Sequence, residues 1–224
     1  MRSPASSLLT LPRQVREALE SPEVTCDVDV SVRRGDTRRG WVQVHSGQAL
    51  RGGVVAAVSS AGGSAEIAWW RVEDWQTQLT RAATVVVPEA RTPPPAPGFE
   101  VPLDVLLGAG EALRTNRGDV LEELVGRAVG VARTSTSQLD AGEVRTQLVR
   151  LHHGVLGRLL ATVAARDGSA SRVGWVSWLL FPDGWRALTP TRVRRRPSVR
   201  VDPVGPPGLG AEVARLVSVV RGHA

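Results

Sequence analysis

Few residues of this 224-residue sequence have the chemistry of a catalytic or metal-binding group. It contains four His and one Cys. His152 and His153 are adjacent, so on a helix their side chains point about 100° apart and cannot chelate one ion well. Cys26 lies in a strand-like pattern with no evident base beside it, which favours a structural thiol over a nucleophile. His45 precedes a serine, but no Gly-x-Ser-x-Gly elbow follows.

These observations predict a protein without enzymatic activity, cofactor or metal, and without a small-molecule substrate. Gly108 and Gly110 fall within a helical pattern and lack the preceding strand and the later glycine of a dinucleotide-binding site. A hydrolase that uses His45 or the His152–His153 pair is a minor alternative.

Positive charge is concentrated in the last third of the chain. All 28 basic residues are Arg, and the formal net charge is +6. Residues 145–224 contain 13 Arg and 4 acidic residues, whereas residues 89–144 contain 5 Arg and 9 acidic residues. Five of these Arg surround Pro197, namely Arg192, Arg194, Arg195, Arg196 and Arg200.

We expect this Arg cluster at the tip of a hairpin, where guanidinium forks can pair with acidic or carbonyl-rich surfaces of a partner. Arg192, Arg194, Arg195 and Arg196 are therefore predicted partner-binding residues. A tip that is simply solvated is the alternative. Nucleic acid is a third interpretation and not the expected partner, because the Trp residues that could stack on bases lie in strand patterns away from the cluster.

A second candidate for partner binding is the apolar strand at residues 174–181, Gly-Trp-Val-Ser-Trp-Leu-Leu-Phe. In a strand, Trp175 points to one face and Trp178 and Leu180 to the other. We predict that Trp178 and Leu180 form a docking surface for an apolar helix of a partner. The alternative is that a helix of this chain covers them.

An internal repeat organises the elements that must position these residues. Residues 38–42, Arg-Arg-Gly-Trp-Val, match residues 172–176, Arg-Val-Gly-Trp-Val, at an offset of 134. Residues 11–88 and 145–222 are interpreted as two copies of one unit, each with a leading helix, four strands and a closing helix. Two copies can bury their apolar sheet faces jointly against helices. The predicted fold is a single α+β domain over residues 1–224, with an antiparallel sheet built from two pseudo-twofold-related β-hairpin/helix repeats and flanking helical bundles.

The segment between the copies, residues 89–144, has a different composition. Residues 92–98, Thr-Pro-Pro-Pro-Ala-Pro-Gly, predict a stiff, extended linker. Residues 103–113 and 119–129 then predict two amphipathic helices. In the first of them, Leu103, Leu106, Leu107 and Leu113 are expected to share a buried face. Asp140 is predicted to begin the helix that leads into the second copy.

The sequence also indicates a cytoplasmic protein. Its single cysteine excludes an intramolecular disulfide, and its apolar runs fall well short of the roughly 18 residues that span a bilayer. The first ten residues lack the apolar stretch of a signal peptide. We therefore expect no membrane insertion.

Taken together, these patterns resemble the EspG family of type VII (ESX) secretion-associated chaperones. The stretches that resemble the family are residues 102–113 followed by 119–126, the hairpin at 160–181 leading into 182–190, and residues 199–204 with the closing helix 209–220. The resemblance implies two similar halves that form an α+β body with a central antiparallel sheet and helical bundles. It also implies a cytosolic chaperone or adaptor that binds PE–PPE-like secretion substrates and keeps them soluble for export. An Arg-rich nucleic-acid-binding or anion-binding protein is the alternative.

Overall fold

The computed structural model describes residues 10–33, 41–61, 64–84, 97–167 and 170–222. Within these residues the helices are α1 (Arg13–Glu20), α2 (Val72–Ala83), α3 (Leu103–Arg114), α4 (Gly118–Ala128), α5 (Ala141–His153) and α6 (Pro207–Val220). The strands are β1 (Val24–Arg33), β2 (Trp41–Arg51), β3 (Val54–Ala61), β4 (Ser64–Arg71), β5 (Phe99–Pro102), β6 (Arg133–Thr134), β7 (Gly157–Asp167), β8 (Ala170–Phe181), β9 (Gly184–Val193) and β10 (Arg196–Val204).

The strands are hydrogen-bonded in the order β4-β3-β2-β1-β7-β8-β9-β10-β5-β6. With six helices and an antiparallel ten-stranded sheet in the described part of the chain, the predicted α+β class is confirmed. The elements from α1 to α2 run in the order helix, four strands, helix, and so do the elements from α5 to α6. The elements β5, α3, α4 and β6 lie between these two series. This common order supports the predicted internal repeat, which remains a prediction, as does its pseudo-twofold axis.

By its internal contacts the chain divides into two compact units. The first contains Met1–Val86, Leu159–Val176 and Pro206–Ala224, and the second contains Val87–Arg158 and Ser177–Gly205. The units therefore do not follow the two halves interpreted from the sequence, because β7 from Leu159 onward, the start of β8 and α6 come from the second half and belong to the first unit.

In the first unit, β1 to β4 form successive antiparallel hairpins. The alternating Val24, Cys26 and Val28 of β1 are buried, as the period of two requires. Gln48 lies opposite Cys26 and thus on the same face, where its side chain accepts a hydrogen bond from the indole of Trp75 on α2. Helix α2 therefore covers this face of the sheet.

The opposite face of the same strands is covered at one end by α1, whose Val15 and Ala18 pack on Ala56 of β3. Helix α6 packs against α2 at Gly210, where an added Cβ would lie 3.0 Å from the carbonyl oxygen of Gln76. The close approach of the two helices thus depends on a residue without a side chain. One face of α6 is apolar and buried, with Leu209, Val213, Leu216 and Val220 at helical spacing.

In the second unit, α3, α4 and α5 pack on one face of β5 and β10 to form a hydrophobic core. Phe99 and Val201 of the strands and Leu124 and Leu148 of the helices are among its buried residues. Asp140 begins α5 through a capping box: its carboxylate accepts from the Glu143 backbone N–H at 2.8 Å, and the Glu143 carboxylate accepts from the Asp140 N–H at 2.8 Å. This confirms Asp140 as the start of the helix.

One expectation about a buried face was wrong. Leu107, expected on the buried face of α3, is 65% exposed, whereas Val105, Ala109 and Ala112 are buried. Nearly every side of this helix is apolar, so spacing alone could not select the face.

The short strands β5 and β6 had no signal in the pattern, since two to four residues cannot display a period. The proline-rich linker lies outside the described residues, apart from Pro97 and Gly98.

Candidate protein-docking surfaces

The two predicted docking residues of β8 are part of the interior. Trp178 is 1% exposed and Leu180 is 2% exposed, so neither offers a surface to a partner, and this prediction is corrected. The alternation of faces along β8 was right, but the face that the structure leaves open is that of Trp175, which is 60% exposed. Both faces of this strand are apolar in sequence, and only packing decides which one is covered.

The four predicted Arg residues lie at the β9–β10 hairpin, as expected. Val193 and Arg196 are directly paired, so Arg194 and Arg195 form a two-residue connection between the strands. Both have positive φ angles, 47° and 69°, which is the backbone of a type I′ turn. Arg192, Arg194, Arg195 and Arg196 are all exposed, and none of them forms an ion pair or a side-chain hydrogen bond with a described residue.

Beside this turn, in the same unit, lies a groove of about 740 Å³, which we call the α3 groove. Its lining residues are Leu103, Asp104, Leu107, Arg127, Arg196 and Pro197. Leu103, Leu107 and Pro197 give it apolar surface, while Arg196 brings a free cation from the hairpin. Arg127 of α4 is bound to Asp104 of α3 at 2.5 Å. The groove therefore combines an exposed leucine with unneutralised positive charge.

The pairing of β9 with β10 places Arg192 on the same face of the hairpin as Pro197. Pro197 lies opposite Arg192, and residues directly opposite each other in an antiparallel pair point to the same face. Pro197 lines the α3 groove, so Arg192 is on the groove side of the hairpin. Of the predicted Arg residues, Arg196 lines the groove and Arg192 lies on the same face of the hairpin as Pro197.

The first unit has an exposed apolar surface of its own on β7 and β8. Leu160 is 43% exposed, Val173 54% and Trp175 60%. On β8, Val173 and Trp175 share a face because they are two residues apart. This surface is the second candidate for protein docking.

A polar cavity of about 630 Å³ lies in the second unit beside β5 and β6. Glu100 is its most buried charged group, and its carboxylate is held by Arg133 at 3.0 Å and by the Thr191 hydroxyl. Burial by itself would raise the pKa of Glu100, but the hydrogen bonds from Thr191 and Arg133 outweigh burial and lower it. The cavity contains paired charges of both signs, so it has no net preference for an anion or a cation.

The second unit also contains a buried ionic network. Asp183 accepts hydrogen bonds from Arg150 of α5 and, at 2.5 Å, from Arg186 of β9. The side chains of Asp183 and Arg186 are only 3% and 5% exposed. The Arg150 guanidinium also lies 5.4 Å from the centre of the Phe181 ring, a cation–π distance. This network ties α5 to the sheet and has a structural role.

Burial makes the thiol of Cys26, the only cysteine in the sequence, unreactive. Cys26 is buried, and burial, with a smaller contribution from Asp27, raises the pKa of its thiol to about 12. Since the thiolate is the reactive form, we expect no labelling of the folded protein by iodoacetamide at pH 8 and complete labelling in 6 M guanidinium chloride. Mass spectrometry of the two reactions gives the result, and rapid labelling of the folded protein would contradict it.

His152 links α5 to α3, the helix that forms the groove. Its Nε2–H donates to the carbonyl oxygen of Leu106 at 3.0 Å, and an added Cβ on Gly110 would lie 2.6 Å from its ring. Burial lowers the pKa of His152, partly opposed by the hydrogen bond to Leu106. The folded state thus favours neutral histidine, which titrates near 6.5 when unfolded.

We therefore expect the stabilisation that comes from burying neutral His152 to be present above about pH 6.5. It should be lost as the pH falls through the lower pKa that His152 has in the folded state. His152→Gln keeps a donor for Leu106 but does not titrate. Lowering the pH from 7.5 to 5 should therefore reduce the urea midpoint of the wild type more than that of His152→Gln. A difference between the two midpoints that is independent of pH would show that His152 is not desolvated, and His153→Gln is the matched control.

Among the described residues, no group of three or more His, Cys, Asp or Glu is arranged to hold a metal ion. No helix in the described ranges is both long and apolar enough to cross a membrane. His45, the other candidate base, is bound through Nδ1 to Asp29 at 2.8 Å on an exposed strand surface.

Comparison with solved structures identifies the class of fold. The chain is similar to the Mycobacterium tuberculosis type VII secretion system chaperone EspG5, solved in complex with the PE25–PPE41 dimer. The TM-score is 0.62 at 12% sequence identity, and the match covers 94% of this chain and 79% of EspG5. The fold is therefore EspG-like, as the sequence resemblance predicted.

HtdX of Mycobacterium tuberculosis aligns at 11% identity over 82% of this chain and 78% of its own, but with a TM-score of 0.15 the alignment does not indicate a common fold. No family model matches the sequence. No curated protein matches it either.

Proposed function

We propose that this protein is a cytoplasmic chaperone or adaptor that binds a PE–PPE-like substrate of a type VII secretion system and keeps it soluble for export. The observation that supports this most strongly is the EspG-like fold across 94% of the chain, since EspG5 was solved with a PE–PPE dimer bound. Such a protein needs no cofactor or nucleophile, and we expect no enzymatic activity. Covering apolar surface of the substrate removes it from water and opposes self-association.

The α3 groove is the docking site in this proposal. An amphipathic helix can insert apolar side chains between Leu103, Leu107 and Pro197, which is the helix-in-groove mode of recognition. Arg127 and Arg196 line the same groove and can contact polar residues at the edge of that helix. Trp178 and Leu180, which are buried, take no part in the contact.

The direct test is co-expression with a PE–PPE-like pair from the genome that encodes this chain. We expect a stoichiometric complex in size-exclusion chromatography with multi-angle light scattering, and a soluble substrate only when the chaperone is present. If none of the PE–PPE-like pairs of that genome forms a complex, the proposed function is wrong.

Two variants distinguish the candidate docking surfaces. Leu107→Glu places a charge in the α3 groove at a side chain that is 65% exposed, so folding should be unaffected. It is expected to weaken substrate binding by at least about 100-fold, as for a hot-spot residue. Trp175→Glu, on the exposed surface of β7 and β8, should bind as wild type. The reverse outcome would move the docking site to the first unit.

The exposed Arg residues keep nucleic acid as a second candidate ligand. Contacts with phosphates make affinity fall steeply with salt, by about 10³–10⁵ between 50 and 200 mM for 6–10 contacts. Titration of fluorescent duplex DNA and single-stranded RNA at both salt concentrations decides the matter. Binding in the micromolar range at 150 mM salt would favour this alternative over the chaperone.

A further inference from the structure

The β9–β10 turn has a backbone conformation that its residues do not favour. A type I′ turn needs positive φ at both central positions, for which Asn-Gly is the preferred pair. Here both positions are arginine, Arg194 and Arg195, with φ angles of 47° and 69°. A side chain with a Cβ in this region destabilises the folded state. Strain of this kind is found where the side chains have a function.

The side chains in question are unneutralised cations beside the α3 groove. Arg194, Arg195 and Arg196 are consecutive and exposed, and they bind no carboxylate of the described residues. Elsewhere in the second unit, surface Arg residues are matched with acids at short distance, for example Arg127 with Asp104 at 2.5 Å and Arg145 with Glu122 at 2.8 Å. Arg158 and Arg192 also lack a carboxylate partner among the described residues, but only the turn brings three such Arg residues together in sequence.

We infer that Arg194, Arg195 and Arg196 form a carboxylate receptor that binds acidic side chains of the partner helix seated in the α3 groove. This rests on the proposed function and specifies its partner: an amphipathic helix with leucine-like residues on one side and Asp or Glu at the flank or end that faces the turn. Guanidinium groups bind carboxylates through two parallel hydrogen bonds, which gives the contact a fixed orientation.

The surroundings favour a protein carboxylate over a nucleic-acid phosphate. The groove next to the turn has Leu103, Leu107 and Pro197 in its lining, which suit apolar side chains. Stacking of successive bases relies mainly on aromatic side chains, and no Trp or Phe is among the described lining residues of the groove. Charge and apolar surface lie together, as an acidic amphipathic helix requires.

The strain provides a variant in which stability and binding change in opposite directions. Arg194→Asn/Arg195→Gly installs the preferred type I′ pair, and we expect its Tm to rise by at least about 2 °C. Its affinity for a co-expressed PE–PPE-like pair should fall at least tenfold, and the salt dependence of binding should flatten. The matched control is Arg158→Asn, which removes an exposed Arg of the same unit away from the turn, and which should leave both values unchanged.

A complex that forms as tightly with the double variant as with wild type would overturn the receptor while leaving the chaperone function intact. A second arm does not depend on the natural partner. Its probes are two synthetic helical peptides with the same leucine face, one with four Glu on the flank and one with Gln at those positions. The full chain, labelled with ¹⁵N, is titrated with each peptide at 150 mM salt.

We expect the Glu peptide to shift the Nε–Hε resonances of Arg194, Arg195 and Arg196 and to bind at least tenfold more tightly than the Gln peptide. Equal binding of the two peptides, or no shift at these three residues, would overturn the inference. Duplex DNA that shifts the same resonances at 150 mM salt, with the Glu peptide inactive, would assign the turn to phosphate instead.

Discussion

Replacing Asp183 with alanine is expected to lower the free energy of unfolding by about 3–5 kcal/mol, the range for removing one partner of a buried ion pair. The Asp183 carboxylate receives hydrogen bonds from Arg150 and Arg186, and the Arg186 side chain is only 5% exposed. The variant removes the counter-charge for that buried guanidinium. Equilibrium urea unfolding followed by Trp fluorescence measures the change.

Two further variants separate this electrostatic cause from other effects of the substitution. Asp183→Asn keeps the size of the side chain and the local turn but removes the charge, so most of the loss should persist. Asp202→Ala breaks an exposed ion pair with Arg200. The side chain of Asp202 is 39% exposed and that of Arg200 is 54% exposed, so the variant should lose no more than about 1 kcal/mol of unfolding free energy. Equal losses at Asp183 and Asp202 would show that the network is not buried in solution.

The second large effect is expected at Trp178, where alanine should cost about 3–5 kcal/mol through lost burial and the cavity left behind. Trp178 is 1% exposed, and its ring centre lies 6.2 Å from that of Trp185. Its neighbour Trp175 is on the other face of the same strand and is 60% exposed. Trp175→Ala is thus a control in the same strand and of the same residue type, with an expected change of less than about 0.5 kcal/mol.

Trp178→Phe refines this prediction. The indole Nε1–H of Trp178 is buried without a hydrogen-bond partner among the described residues. Leaving a donor unpaired costs about 1–3 kcal/mol, so phenylalanine loses volume but also removes this penalty. We expect Trp178→Phe to lose less than half of what Trp178→Ala loses. If Trp178→Ala, Trp178→Phe and Trp175→Ala all left the free energy of unfolding nearly unchanged, β8 would present the face of Trp178 to solvent.

The burial of Trp178 also explains why the proposed docking surface differs from the one that the sequence first indicated. Trp178 and Leu180 were predicted to meet a partner because their strand is apolar on both faces. The structure buries both side chains, and the ring of Trp178 lies 6.2 Å from that of Trp185. In the proposed function, stability and recognition depend on different residues, so we expect that Leu107 and the Arg194–Arg195 turn can be changed without unfolding the protein.

Local pattern was enough to predict most helices and strands. The period of two in β1 reflects one buried and one open face, and the capping pair Asp140 and Glu143 marks the beginning of α5. Pro207 at the start of α6 and the apolar stripe from Leu209 to Val220 reflect the fixed φ of proline and the helical period. Such signals need only neighbouring residues, and for that reason they can be read from sequence.

The candidate site was predicted only in part. The Arg cluster was correctly placed at a hairpin tip, because the charge run and the turn are both local. The α3 groove joins Leu103 and Leu107 to Arg196 and Pro197, which are some ninety residues further along the chain, and no local signal reports such a contact. The positive φ angles of the turn also escaped prediction, since arginine is not the residue that this backbone favours.

The sequence by itself determined the order of most elements, the α+β class and the excess of arginine near residue 195. These follow from residue type and spacing within a few turns of chain. Only the tertiary structure decided that Trp178 is covered and Trp175 open, that Leu107 faces outward, and that the arginine turn borders an apolar groove. The physical reason is that burial depends on what other segments pack against a face, and an element that is apolar on several sides has no preference of its own.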